Sequence, residues 1–546
     1  MWSALHASAL LIFAIARPVV GCSAYAAGKL ATADGSVLVT HSDDGDGTSD
    51  PRVAYIPPAN HEKGAQRAVW PDLESYPRFV GSARGSTYAP ILGQNVTQPI
   101  GFIPQVALTQ GMCIFMGIGT PSLTCETCTQ ACAQARAQAC TQACAQACAQ
   151  ACACTTQVAH THGYYEANYA IQNDCQLMFG ESTASAVFTA GRALGLPNGT
   201  ALFSVNELTR IASERVCSAR DAISLMGDLA VKHGFYGADG GAGETLMVAD
   251  TEEAFVFHCL SDPTGKSAIW AAQRVADEQI AVVANMFTIR EVNVSDTFTF
   301  LASSNLHSVA LAHRLWDGLG LLDFTKTYSR GEYGHKYYSG RRMWDGLRRF
   351  KPSLVLPAEY GDLKNDKPAH AWGMSTYPFS VVPDVKLTPA AIFAAHRSHY
   401  EGTEYDTTRG MAAGAFGTPD RYPTIGAPGD PGEGSWERTV SIYRTTYTWV
   451  AQAKAGLPSD AAGLIWWGVG DSSKTVFNPL MVSAGEPPQA VTLGRQSHLD
   501  RRSFYWAVRY LSNLAQIRYD RMIVDIQARP SRGLQGAALS GRLHLS

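Results

Sequence analysis

One cysteine near the start of the chain would gain unusual chemistry from proteolytic processing. Residues 4–16 are apolar and have the length of a signal-peptide core, and Val19 and Gly21 suit the positions before a signal-peptidase site. Cleavage after Gly21 would give Cys22 a free α-amino group, whose pKa of about 8 allows it to take the proton of the thiol. Residues 1–21 are therefore predicted to be a signal peptide or propeptide, removed by signal peptidase or autocatalysis. The alternatives are a buried N-terminal helix, a structural Cys22 and a lipidated Cys22.

The residues that follow predict a hairpin that returns polar groups to Cys22. Asp34-Gly35 is a turn signal between a strand that starts at Cys22 and a β-branched strand, Val37 to Thr40. The end of the second strand then lies beside the start of the first. We therefore expect His41 and Asp44 near Cys22, with Asp44 able to bind an amine.

Three blocks of sequence carry a family resemblance. CSAYAAGKLATADGSVLVTHSDD begins at Cys22, YYEANYAIQNDCQL begins at Tyr164 and is followed by Gly180-Glu181-Ser182-Thr183, and a third block spans Asp262 to Arg290. In order and spacing they resemble the secernin and dipeptidase family of N-terminal-nucleophile cysteine hydrolases. The resemblance extends from Cys22 to about Asp525.

The resemblance implies an α/β (α+β) fold, a four-layer αββα sandwich with two antiparallel sheets face to face. The residue patterns agree with a mixed fold. Strands are predicted at Leu246 to Ala249, Ala254 to His258, Ile280 to Ala284 and Ser441 to Tyr447, and helices at Val205 to Arg215, Ala219 to His233 and Ser503 to Arg521. Residues 22–528 are expected to form one hydrolase domain, and residues 529–546 a loosely ordered tail.

The resemblance also implies catalytic roles. Cys22 would be the nucleophile that forms a thioester acyl-enzyme. Asn173 would donate its amide to the oxyanion, and Asn285, at the end of a strand, would support the same site. From the residues alone, Asn173 is equally well a turn residue and Asn285 a strand cap.

Charged residues complete the expected site. Asp44 and His41 are expected to bind substrate, and Arg274 and Arg444 lie in well-matching blocks and could bind a substrate carboxylate or form structural ion pairs. No cofactor and no metal site is predicted, because His160 and His162 lack a C-x-x-C at zinc-finger spacing.

The cysteines are unevenly distributed. Eight of the 13 lie between Cys125 and Cys154, in a repeat of Ala, Cys and Gln. Gln105-Val106-Ala107 recurs as Gln157-Val158-Ala159, which favours an insertion at 106–157, such as retained intron sequence, over a thiol-rich metal-binding arm. Outside this region, Cys175, Cys217 and Cys259 are expected to be ordinary thiols.

Composition limits the partners. A net charge of −3 with no basic run argues against nucleic acid, and no window has the 18 or so apolar residues of a membrane span. Three sequons, at Asn95, Asn198 and Asn293, add to the prediction of a glycoprotein of the secretory pathway, extracellular or lysosome-like. Homo-oligomerisation is left open.

The function predicted from this reasoning is a cysteine-type dipeptidase that hydrolyses small peptides with a free amino terminus. The alternatives are an N-acyl amidase with the same Cys22 chemistry, and a catalytically silent secernin-like protein of binding or exocytosis. A papain-like protease is disfavoured because nothing resembles the sequence around its cysteine.

Overall fold

The computed structural model describes residues 21–45, 47–73, 76, 78–81, 84, 88, 95, 97–105, 159–194, 199–237, 242–333, 337–358, 377–420 and 437–528. The predictions made for residues 1–20, for the 106–157 insertion and for the 529–546 tail lie outside these residues. The α+β fold with antiparallel sheets is confirmed.

The strands, in chain order, are β1 (Gly21–Ala27), β2 (Val37–Asp44), β3 (Ala54–Ile56), β4 (Ala59–His61), β5 (Gln66–Val69), β6 (Gly101–Pro104), β7 (Ala159–Thr161), β8 (Tyr164–Glu166), β9 (Ala170–Asn173), β10 (Met178–Ser185), β11 (Ala242–Ala249), β12 (Ala254–Ser261), β13 (Ala268–Val275), β14 (Ile280–Val283), β15 (Glu291–Val292), β16 (Phe300–Ala302), β17 (Leu322–Asp323), β18 (Ser380–Val381), β19 (Tyr447–Ala453), β20 (Leu464–Val469) and β21 (Asn478–Met481). The helices are α1 (Val205–Arg215), α2 (Ala219–His233), α3 (Leu306–Ala312), α4 (Phe324–Tyr328), α5 (Gly340–Phe350), α6 (Pro389–His396), α7 (Gly410–Ala413) and α8 (Phe504–Ala515).

Two large sheets organise the molecule. Sheet I has the order β18-β14-β1-β2-β19-β20-β21, and sheet II has the order β16-β13-β12-β11-β10-β9-β8-β3. Neighbouring strands in both sheets are antiparallel. The strand that carries Cys22 lies near the middle of sheet I.

The alternation of side chains along β1 and β2 explains how the sheets pack. Ala24, Ala26 and Val39 share a buried core with Met178 and Met247 of sheet II. The intervening residues of both strands point to the opposite face, because successive side chains in a strand alternate. Strands β1 and β2 are therefore buried on both faces.

Helices cover the outer faces. Apolar residues of α1 and α2 share a core with the outer face of sheet II, and α5 and α6 do the same for sheet I. In the described residues no helix is both long and apolar enough to cross a bilayer.

Most of the predicted elements near the site are confirmed. The helices at Val205–Arg215 and Ala219–His233 have the predicted limits, and the predicted hairpin is β1 and β2. The strand predicted at Ser441 to Tyr447 is wrong, because the strand begins at Tyr447. Ser441 instead hydrogen-bonds Asp471 through its side chain, at 2.6 Å, in a non-strand segment that precedes β19.

The prediction of ordinary thiols is wrong for two cysteines. Cys175 and Cys217 form a disulfide, whereas Cys22 and Cys259 are free and buried. Sequence spacing gave no sign of this pair, since the partners are 42 residues apart and are brought together only by the packing of α1 against β9.

The two ends of the predicted insertion lie beside one short connection. The backbone N–H of Gln105 donates to Ala65 at 2.8 Å, and Ala159 pairs with His61. His61 is the last residue of β4, and Ala65 directly precedes β5. This arrangement suits a segment inserted at one point of the fold, and the insertion stays a prediction.

Candidate active site

Strand geometry sets the direction of the Cys22 side chain. Cys22 pairs with Asp43 of β2, and the alternation along β1 places its side chain on the face of Ala24, toward sheet II. The same rule places His41 and Asp43 on that face and Asp44 on the opposite one. The residue is only 1% exposed.

The thiol lies among acidic groups. The Cys22 sulfur, a carboxylate oxygen of Glu181 and a ring nitrogen of His41 all lie within 4.8 Å of one another. Burial raises the pKa of the Cys22 thiol well above its usual value, and the charges of Glu181, Asp43 and Asp44 raise it further. The thiol is therefore protonated in this state, and it needs a base before it can react.

His41 is held as a neutral imidazole. Its Nδ1 hydrogen-bonds the backbone oxygen of Glu181 at 2.8 Å, and its ring contacts Tyr169, Tyr447 and Trp449. Burial lowers the pKa of His41 to about 4. His41 thus lies beside the thiol, but it carries no charge at neutral pH.

Polar groups from three elements fix the backbone of Cys22. Its N–H donates to Asn285 Oδ1 at 3.0 Å, and its carbonyl oxygen accepts from Arg342 Nη1 at 2.7 Å and Ser182 Oγ at 3.2 Å. Arg342 also donates to Asn285 Oδ1 at 2.6 Å. The Cys22 nitrogen therefore faces an oxygen acceptor that could equally hold a free amine.

Arginines surround the residue before Cys22. Arg438 Nη2 donates to the Gly21 carbonyl oxygen at 3.4 Å and forms a fully buried ion pair with Asp44. Arg444 donates to the backbone oxygens of Asp44 and Gly45 and, at 3.0 Å, to Tyr338 Oη.

Tyr338 closes the space beside Gly21. A Cβ at position 21 would clash with the Tyr338 hydroxyl, so a larger residue there requires the Tyr338 side chain to shift. Burial alone would raise the pKa of Tyr338, but the positive charges of Arg438, Arg444 and Arg342 lower this pKa below its usual value.

The structure brings together most of the residues singled out from sequence. His41, Asp44, Asn285 and Arg444 all lie around the start of β1. The Arg444 side chain donates to the backbone oxygen of Asp44. The carboxylate of Asp44 accepts from Arg438 and Thr445 and does not face the thiol.

Two of the predicted site residues lie elsewhere. The Asn173 amide group donates to the carbonyl oxygens of Ser213 and Val216, both at 3.0 Å, which joins β9 to the end of α1. Arg274, in β13 of sheet II, forms ion pairs with Glu253 and Asp277, which lie in loops at the end of that sheet. Both side chains have structural partners that account for them.

Sequence reasoning missed five residues of the site. They are Glu181, Ser182, Tyr338, Arg342 and Arg438. Glu181 and Ser182 belong to the Gly180-Glu181-Ser182-Thr183 block of the family resemblance, whereas the arginines and Tyr338 show no local motif. Arg341 and Arg342 are both buried in the Arg-rich helix α5, and this burial becomes visible only in the fold.

Comparison with known proteins identifies the family. The model of peptidase family C69 matches residues 137–531. The chain belongs to peptidase family C69. The matched segment includes Glu181, Asn285, Arg342 and Arg438, and it begins after Cys22.

Curated relatives of this C69 chain carry dipeptidase names. It is 26% identical to a probable dipeptidase of Salmonella dublin over 263 residues, and this aligned segment covers 48% of this chain and 51% of the relative. It is 22% identical over 309 residues to a probable dipeptidase of Latilactobacillus sakei, 55% of each chain. It is 22% identical over 354 residues to probable dipeptidase B of Lactococcus lactis, 63% of this chain and 65% of the relative. The chain thus spans about half to two thirds of the length of these relatives.

Asn285 should make a large contribution to the stability of the C69 chain. Its Oδ1 accepts from Cys22 and Arg342, its Nδ2 donates to Thr183, and its φ of 53° is left-handed. We expect Asn285→Ala to lower the free energy of unfolding by about 3 kcal/mol, from the lost hydrogen bonds and the left-handed backbone. Asn285→Gly, which tolerates the backbone, should lose about 1 kcal/mol less. Urea unfolding measures both, and an alanine variant as stable as the parent would contradict this role.

Buried histidines should make the protein sensitive to mild acid. Burial lowers the pKa of His41 to about 4 and the pKa values of His258 and His396 to about 3, below the 6.5 of an unfolded histidine. The unfolded chain therefore binds more protons below pH 6.5, and stability is lost as the pH falls. Glu332 has the opposite effect on stability, because burial raises its pKa to about 7. In this pH range the folded protein therefore binds one proton at Glu332 that the unfolded chain does not.

The net difference of about two protons predicts a loss of roughly 2 to 3 kcal/mol of unfolding free energy per pH unit between about pH 6 and pH 5. Urea unfolding at a series of pH values measures this slope. A flat profile across that interval would show that these histidines are not held neutral.

Proposed function

We propose that this C69 chain is a cysteine-type dipeptidase in which Cys22, once freed from the preceding residues, is the N-terminal nucleophile. The observation that carries the proposal is the position of Cys22, whose nitrogen faces Asn285 Oδ1 and whose thiol lies beside Glu181 and His41. A free α-amine at this nitrogen would supply the base that the protonated thiol lacks.

The residues before Cys22 indicate how a substrate would bind. Gly21 pairs with Asp44 and its carbonyl oxygen accepts a hydrogen bond from Arg438. After cleavage, the N-terminal residue of a dipeptide would occupy this position, with its amino group toward Asp44 and its scissile carbonyl oxygen toward Arg438. Arg444 and Arg342 add positive charge on the same side, which suits the carboxylate of a short peptide.

The reaction follows from this arrangement. The Cys22 α-amine takes the thiol proton, the thiolate attacks the scissile carbonyl carbon, and negative charge develops on the carbonyl oxygen. Arg438 is the donor best placed to stabilise that charge, the role that sequence reasoning gave to Asn173. The ammonium returns its proton to the leaving amine, and water then hydrolyses the thioester.

We also propose that the layers form the sandwich of N-terminal-nucleophile hydrolases. Two antiparallel sheets that share one core, with helices on both outer faces, support this assignment. A nucleophile at the start of a central strand is a further point in its favour.

The proposed location is the secretory pathway, either extracellular or lysosome-like. The Cys175–Cys217 disulfide supports it, because disulfides form and persist in oxidising compartments. Asn95 and Asn293 stay candidate glycosylation sites, and Asn198 lies outside the described residues.

A substrate panel tests the function. The processed protein should hydrolyse unmodified dipeptides and should lose at least about 100-fold in kcat/KM when the amino terminus is acetylated, since one buried charged contact is worth about 3 kcal/mol. Faster hydrolysis of N-acyl amides than of dipeptides would favour the amidase alternative. No hydrolysis of any member by protein shown to begin at Cys22 would contradict an enzymatic role.

A further inference from the structure

A second cluster of metal-binding side chains lies away from Cys22. His162 lies between β7 and β8, Cys175 in the turn between β9 and β10, and Cys217 between α1 and α2. A nitrogen of His162 and the two sulfurs lie within 4.8 Å of one another. Cys217 is exposed to solvent and the other two side chains are partly exposed, so the cluster is accessible.

The orientation of His162 suits a metal ligand. Its Nδ1 hydrogen-bonds Asp174 Oδ1 at 2.8 Å, which places the proton on Nδ1 and leaves a lone pair on Nε2. Nε2 faces Cys217 Sγ at 3.4 Å. A carboxylate that fixes the far nitrogen in this way is the usual support of a metal-bound histidine.

The spacing agrees with zinc. With Zn–N of about 2.0 Å and Zn–S of about 2.3 Å, a tetrahedral ion holds its nitrogen and sulfur ligands about 3.5 Å apart. The Nε2 to Sγ distance is already close to this value. The two sulfurs would need to separate, and the Cα–Cα distance of 5.6 Å between Cys175 and Cys217 leaves room for this by side-chain rotation.

Hydrogen bonds that do not depend on the disulfide also keep the three ligands together. Asn173 bonds the carbonyl groups of Ser213 and Val216, and the His162 N–H donates to Glu214 at 2.9 Å. The Asp174 N–H donates to Gly163 at 2.8 Å. Reduction of the disulfide would therefore leave the ligands in place, and Asn173 acts here as an anchor.

We propose that Cys175, Cys217 and His162 form a zinc site that opens when their disulfide is reduced. A thiol reductant supplies two electrons and two protons, becomes a disulfide itself and leaves two cysteine thiols. Zn²⁺ then binds both sulfurs as thiolates, releases the two protons and takes His162 Nε2 as its third ligand, with water in the fourth position. Two thiolates and an imidazole favour Zn²⁺ over Mg²⁺ or Ca²⁺.

The test measures alkylation of individual cysteines in the full chain. After reduction, the folded protein is treated with iodoacetamide with and without Zn²⁺, and labelling is read peptide by peptide, so that the cysteines of residues 106–157 do not interfere. We expect Zn²⁺ to slow labelling of Cys175 and Cys217 at least tenfold, and Mg²⁺ to have no such effect. Buried Cys259 is the internal control.

A ligand variant completes the design. In His162→Gln, the protection of Cys175 and Cys217 by Zn²⁺ should be largely lost while labelling without the metal is unchanged. Labelling of the parent protein at the same rate with and without Zn²⁺ would overturn the proposal, as would full protection in His162→Gln. Because cysteine labelling does not depend on peptidase activity, this experiment tests the zinc site independently of the proposed function.

Discussion

Replacement of Cys22 by alanine should abolish hydrolysis, with a loss of at least about 10⁴-fold in kcat/KM, because the thiol is the proposed acyl-forming nucleophile and the nearby Ser182 hydroxyl is a much weaker one. Of the two free cysteines among the described residues, Cys22 is the one whose thiol lies beside Glu181 and His41. Cys22→Ser should retain the fold and at most a small fraction of the activity, since a hydroxyl is a much weaker nucleophile.

A matched control separates chemistry from packing. Cys259 is also a free, fully buried cysteine, and it lies on sheet II in the core shared with α1 and α2. Cys259→Ala should therefore lose about as much unfolding free energy as Cys22→Ala does, but it should keep the kcat of the parent protein. Urea unfolding and dipeptide hydrolysis are measured on both variants. Activity that survives in Cys22→Ala would exclude Cys22 as the nucleophile.

The second large effect concerns the ion pair between Asp44 and Arg438. Both side chains are fully buried, and Arg342 and Arg444 lie nearby. Asp44→Asn removes the negative charge and leaves the guanidinium of Arg438 without its carboxylate. We expect a loss of about 3 to 5 kcal/mol in the free energy of unfolding, the usual cost when one member of a buried pair is removed.

A double variant shows which part of this effect belongs to catalysis. Asp44→Asn combined with Arg438→Met removes both charges, so it should recover much of the stability lost in the single variant. Its kcat/KM should stay low, because the donor to the scissile carbonyl oxygen is also gone. Recovery of activity together with stability would mean that the pair is structural only.

The sequence predicted the local elements of the site well. The hairpin of β1 and β2 followed from the turn signal and the β-branched residues of the second strand, and it placed His41 and Asp44 near Cys22. The connection between the strands is longer than predicted, since it spans residues 28–36 and not only Asp34-Gly35. Helices α1 and α2 followed from their apolar periodicity. These features depend on neighbours in sequence, which is why patterns reveal them.

The remainder of the site depends on contacts between distant segments. Arg342 reaches Cys22 across 320 positions and Arg438 reaches Asp44 across 394. Neither arginine lies in a recognisable local motif, because the partner of each lies in a distant part of the chain and comes near it only in the folded protein. The Asn173 amide group shows how such contacts compete with a role inferred from sequence, since it donates to the carbonyl groups of Ser213 and Val216 at the end of α1.

The central claim is that the thiol of Cys22 acts with its own free amine, and the mature amino terminus tests it most directly. Mass spectrometry of the N-terminal peptide of the active protein should give a chain that begins Cys22-Ser23-Ala24. Active protein that retains Gly21 or any residue before it would contradict the account, because the α-amine that the buried thiol needs would then be part of a peptide bond.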